Sequence, residues 1–89
     1  MKLKSIKHYR RRINGIDRRI MKMFMKRYKT VDLIGKLKKK EGMAVIDNKR
    51  EYDILQKIEN LNTASKIKNC IASIYKTVFS TSYLIEKEE

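Results

Sequence analysis

Residues 6–40, IKHYRRRINGIDRRIMKMFMKRYKTVDLIGKLKKK, decide the fold. From Ile6, the positions Tyr9, Ile13, Ile16, Ile20, Met23, Arg27, Val31, Ile34 and Lys38 follow at steps of three or four, the period of one helix face. Eight of these ten positions are apolar or aromatic, and both exceptions, Arg27 and Lys38, are cations. Eleven residues separate the two, almost three whole turns, so they project from one face about 16 Å apart along the axis. Both side chains are long enough to bend together around something small and anionic. A buried cation is costly unless paired, so the pattern calls for a partner.

The helical period runs over about residues 4–39 without a proline, which gives a rod roughly 54 Å long. Gly15 and Gly35 each weaken it by up to about 1 kcal/mol relative to alanine. Gly42 is placed to cap its C-terminus. After a short connection, Asp47 is an N-cap candidate for a second helix whose buried side is Tyr52, Leu55, Ile58 and Leu61. A polar break over residues 60–63 follows, and Asn62 or Thr63 is expected to cap a third helix. In that helix Ile67, Ile71, Ile74, Val78 and Ile85 mark the apolar stripe, with Tyr75 and Phe79 beside it. The expected fold is all-α, with one long and two shorter helices and a single domain over residues 1–89.

Two short helices cannot cover so long a first one, and the rest of its stripe would face water. An intertwined homodimer resolves this, with the long helices side by side and the cluster Met21, Met23, Phe24 and Met25 packed between them. Cys70, the single cysteine, lies among Ile67, Ile71 and Ile74 and reads as a small core residue in a reducing cytosol. Lone His8 is expected on an exposed turn.

Net charge is +13, from 23 Lys and Arg against 10 Asp and Glu. In a Lys-, Ile- and Asn-rich chain most of this is a solvated surface, and the alternative is an anionic partner. The basic start has no apolar segment behind it, so no secretory signal is expected, and no apolar run approaches a membrane span. The expected location is the cytoplasm, with no metal, cofactor or membrane contact.

Further polar residues stand at spaced positions. Asp47, Arg50 and Glu51 form D-x-x-R-E at the start of the second helix. An N-cap with first-turn charges accounts for Asp47 and Glu51 but not for Arg50, a cation near the positive end of the helix dipole. Ser82 and Glu86, at i and i+4, share one face late in the third helix.

Together these positions resemble the all-helical, type II chorismate mutase family. Its pattern is an Arg near the start of a long helix, I-D-x-x-I, and an Arg followed eleven residues later by a Lys within G-x-x-K. A D-x-x-R-E comes next, then a Ser with Gln or Glu four residues on. This chain reads Arg10, Ile16-Asp17-Arg18-Arg19-Ile20, Arg27, Gly35-Lys36-Leu37-Lys38, Asp47-Asn48-Lys49-Arg50-Glu51, and Ser82 with Glu86. The resemblance covers nearly the whole chain in one register. It implies conversion of chorismate to prephenate, a pericyclic rearrangement of a dicarboxylate that needs no covalent intermediate.

By that resemblance, Arg10 from the partner subunit and Arg27 clamp the substrate carboxylates. Arg50 adds positive charge and Ser82 a hydroxyl contact. Asp47, by side chain or backbone, and Glu51 meet the ring hydroxyl. Lys38 and Glu86 act as the catalytic pair, donating to the ether oxygen where negative charge develops. Many relatives carry Gln in place of Glu86, and a carboxylate there must be protonated to help. The span independently favours Arg10 acting in trans, since 28 residues separate it from Lys38, about 42 Å on one helix. A related pericyclic enzyme of this fold, isochorismate pyruvate lyase, is the near alternative. A basic helical dimer that binds nucleic acid is the alternative from another class, and it leaves the two cations in the stripe unexplained.

Overall fold

The computed structural model describes residues 5–88. Lys4, the expected start of the helical period, lies outside them. Three helices follow in order: α1 Ile6–Glu41, α2 Asn48–Glu59 and α3 Ser65–Lys87. No strand occurs among the described residues. The chain divides into two compact units between Thr30 and Val31, so α1 contributes to both.

In the first unit α1 starts on a cap the sequence reading did not identify. The Ser5 hydroxyl accepts the His8 amide at 3.2 Å, and the Ser5 carbonyl accepts the Tyr9 amide at 3.3 Å. His8 is half-buried rather than exposed, and its ring packs T-shaped on Tyr9 at 5.4 Å between centroids. Arg12 lies over the Tyr9 ring, 5.9 Å from its centre, and further along α1 Phe24 stacks on Tyr28 at 6.0 Å. The apolar stripe itself is open in the single chain: Ile6, Ile13, Ile16, Ile20 and Met23 are all exposed, as are Met21 and Met25.

The second unit holds the last turns of α1 with α2 and α3. Val31, Ile58, Val78 and Phe79 form its small core. On α1 the buried line is Val31 and Gly35, with Lys38 half-buried below them; Ile34 stays exposed. Gly42 ends α1 as expected. It adopts φ +67°, its amide bonds to the Lys39 carbonyl, and the Met43 amide reaches back to the Lys38 carbonyl at 2.8 Å. That pair of bonds satisfies carbonyls that a helix end leaves open.

The packed faces of α2 and α3 keep Leu55, Ile58, Ile71 and Val78 from the expected lines and differ at other positions. Glu51, Ile54, Leu55 and Ile58 form the inward line of α2, at steps of three, one and three, while Tyr52 and Leu61 are exposed. Glu51 thus takes the place assigned to Tyr52. On α3 the inward line runs through Ile71, Tyr75, Val78, Phe79, Ser82 and Glu86, and Ile67 and Ile74 remain exposed. Cys70 is also exposed and is not a core residue. At about 100° per residue it points roughly 135° away from the mean direction of the four buried α3 positions.

Neither Asn62 nor Thr63 caps α3. The N-cap is Ala64, with no side-chain bond, and its carbonyl accepts the Ile67 and Lys68 amides. The connection is held by its own backbone: the Leu61 amide bonds to the Ile58 carbonyl and the Thr63 amide to the Leu61 carbonyl.

Candidate active site

Lys38 sits in the last turn of α1, where carbonyl ends create a partly negative terminus that favours a cation. From there its side chain turns inward. Its ammonium donates to the Val45 carbonyl at 2.7 Å and lies 2.7 Å from Glu86 Oε1. Both side chains are withdrawn from solvent, at 14% and 5% exposure. The Glu86 contact is close in distance but lacks hydrogen-bond alignment, which leaves Oε1 without a hydrogen-bond partner among the described residues. Lys38, one of the two cations in the stripe, therefore has a side-chain partner, and that partner is Glu86, the other expected catalytic group. Attraction between two desolvated charges offsets part of the cost of burying each.

Gly35 makes this approach possible. A β-carbon added to it would fall 2.7 Å from Glu86 Cα and 3.0 Å from the Glu86 carbonyl oxygen, both main-chain atoms that cannot step aside. The glycine at this spacing before Lys38 lets α3 come close enough for Glu86 to reach the ammonium. Ser82, one turn before Glu86, is buried on the same face. Its hydroxyl donates to the Val78 carbonyl at 2.6 Å.

Asp47 is the N-cap of α2, as expected, with its carboxylate accepting the Arg50 amide at 3.0 Å. Arg50 itself is exposed in the first turn. Glu51 does more than charge the helix start. Its Oε2 accepts the Tyr83 hydroxyl at 2.5 Å, and the same hydroxyl accepts the Asp47 amide at 3.3 Å. Burial and the bond to Glu51 both hold the Tyr83 phenol above its usual value of 10.0, outweighing the opposite effect of the Asp47 amide. The phenol therefore stays protonated and remains a donor at neutral pH.

Six of the eight expected site residues thus lie in the second unit. Within it the structure joins Lys38 to Glu86 and links Asp47 to Glu51 through Tyr83, with Ser82 buried on the α3 face that carries Glu86. Arg10 and Arg27 belong to the first unit, Arg10 exposed and Arg27 half-buried on α1. Tyr83 was not among the expected residues. Its signal in the sequence is faint: a side chain with an apolar body and a polar tip, next to Ser82 on a helix otherwise read as core. No group of three or more His, Cys, Asp or Glu side chains able to hold a metal occurs among the described residues. No described helix is long and apolar enough to cross a membrane.

The unit holds an ammonium beside a buried carboxyl, a buried hydroxyl one turn before that carboxyl, and a carboxylate anchored by a phenol. Such an array suits a small ligand carrying both anionic and hydroxyl groups, held by charge and hydrogen bonds. Residues 9–87 match the family described as chorismate mutase type II. The chain is also 31% identical over 81 residues to the bifunctional chorismate mutase/prephenate dehydratase of Buchnera aphidicola subsp. Schizaphis graminum (strain Sg). That match covers 90% of this chain and 21% of the relative, so the chain spans about a fifth of that protein's length.

Proposed function

The chain belongs to the type II chorismate mutase family, and from that membership we propose that it rearranges chorismate to prephenate. The observation that carries the reading to particular atoms is the withdrawn Lys38–Glu86 pair, 2.7 Å apart, at the positions where the family pattern places its Lys and Gln or Glu. The reaction moves charge onto an ether oxygen as the bond breaks. Donors fixed in advance at that oxygen stabilise the transition state without reorganising during the reaction. Holding the enolpyruvyl arm over the ring removes much of the remaining entropic barrier.

Lys38 has three protons to give. One goes to Val45, which fixes the ammonium's position, and the others are available to carboxylate or ether oxygen. The charge of an ionised Glu86 competes for them. A protonated Glu86 adds a second donor and no longer pairs with Lys38 as an ion. An ionised Glu86 would instead repel the negative charge developing on the ether oxygen.

By the family pattern Arg27 and the Arg10 of a second copy hold the substrate carboxylates, with Arg50 adding positive charge and Ser82 a hydroxyl contact. Asp47 and Glu51 serve the ring hydroxyl. The residues act as one domain in a homodimer, with two equivalent sites and no cofactor. The exposed isoleucine and methionine side chains on the first unit of α1 supply apolar surface for the second copy. The excess positive charge steers a dianionic substrate toward the site. The dehydratase named in the Buchnera protein does not carry over, because the match covers only a fifth of that protein.

Product analysis tests the assignment within the fold. Purified protein is offered chorismate and isochorismate separately. Prephenate from the first, with little or no salicylate and pyruvate from the second, is the expected outcome; the reverse preference identifies a lyase.

A further inference from the structure

Tyr83 matches no position of the family pattern, yet its hydroxyl lies between two groups assigned to the substrate's ring hydroxyl. It accepts the Asp47 amide and donates to Glu51 Oε2. We propose that Tyr83 is the positioning residue of the ring-hydroxyl subsite, fixing Glu51 as an acceptor so that the substrate hydroxyl donates to the second carboxylate oxygen. The inference rests on the reading of the chain as a chorismate mutase.

Proton accounting leads to this arrangement. The Asp47 amide has one proton and gives it to the phenol, so that amide no longer serves the substrate. The phenol has one proton and gives it to Glu51. Glu51 must therefore accept, and a carboxylate has about four lone-pair positions on two oxygens. Oε2 is held at 2.5 Å, a charge-assisted distance, while Oε1 can still receive a ligand hydroxyl.

The alternative is that the substrate hydroxyl evicts the phenol and takes both partners. That exchange breaks the short bond to Glu51 and turns out a half-buried ring that ties α3 to the start of α2. Joining the existing acceptor requires neither. The substrate hydroxyl then enters as a donor, and a carboxylate held by a phenol rejects ligands that offer only an acceptor, such as an ether or ketone, at that ring position.

Tyr83→Phe separates these possibilities when tested with chorismate and with an analogue whose ring hydroxyl is replaced by hydrogen, used as a competitive inhibitor. Positioning predicts that the chorismate KM rises about tenfold, the size of a weakened bond to a charged group, while kcat changes by less than about twofold. The inhibition constant of the deoxy analogue stays the same. Weaker binding of both compounds by the same factor means a merely structural role and overturns the proposal. An unchanged or lower chorismate KM overturns it as well, since the phenol is then idle or a competitor. If Tyr83→Phe unfolds in thermal denaturation, Tyr83→Leu, which keeps apolar bulk without a hydroxyl, carries the same comparison. Failure of wild-type protein to convert chorismate is a separate result and overturns the underlying reading first.

Discussion

In the proposed mechanism the chemistry turns on Glu86, because its two protonation states do opposite things to Lys38. As an anion it neutralises the ammonium; as an acid it joins it as a donor. Glu86→Gln, which donates without needing a proton, is therefore expected to match or exceed wild-type kcat/KM at neutral pH. A Glu86→Gln protein much less active than wild type removes the donor role from Glu86. Lys38 and Ser82 with Glu86 were legible in sequence as a break in an apolar stripe and as a polar pair on one face. The direct ion pair between Lys38 and Glu86 was not, since the stripe's cations pointed only to some anion and the family pattern placed both groups as donors to one ether oxygen. Tyr83 was hidden for a related reason: its partner Glu51 lies 32 residues earlier, and a tyrosine in a helix needs no special explanation.

At the scale of the elements, the close approach of α1 and α3 within the second unit depends on Gly35. Gly35→Ala adds helix propensity worth up to about 1 kcal/mol. It also places a methyl group 2.7 Å from Glu86 Cα, which neither backbone can accommodate without moving. The net effect is expected to be a loss of stability on the order of 1–3 kcal/mol, read as a lower midpoint in thermal or denaturant unfolding, together with reduced kcat as Glu86 is displaced. A variant as stable and active as wild type would show that the helices adjust freely. The elements themselves were largely legible where a special residue marks a boundary: Gly42 at φ +67° and Asp47 as an N-cap both stand where expected. The start of α3 was not, because Ala64 caps it through its backbone alone. The inward faces of α2 and α3 were legible only in part, because apolar residues alone defined them. Glu51, Ser82 and Glu86 occupy inward positions, so each packed line bends toward polar side chains that a hydrophobic pattern leaves out.

For the whole molecule the proposal is a homodimer whose sites are completed across the two copies. The single chain leaves Ile6 at 70% and Met23 at 60% exposure, apolar surface with a clear use in such an assembly. Sedimentation equilibrium is expected to give twice the chain mass. Arg10→Ala and Lys38→Ala proteins, each nearly inactive alone, are expected to recover about a quarter of wild-type activity after mixing and exchange. Random pairing makes half the dimers mixed, and each mixed dimer rebuilds one intact site of two. No recovery from chains shown to have exchanged means that Arg10 acts within its own chain or not at all.

The central claim is that Lys38 drives a chorismate rearrangement, and the most direct measurement is to add chorismate to purified wild-type and Lys38→Ala protein and follow its loss together with prephenate formation. The account predicts stoichiometric prephenate from wild type and a kcat lower by about a hundredfold to a thousandfold in the variant, as for the loss of one donor at a developing oxyanion. No prephenate from the wild-type protein, or equal rates from the two, would contradict it.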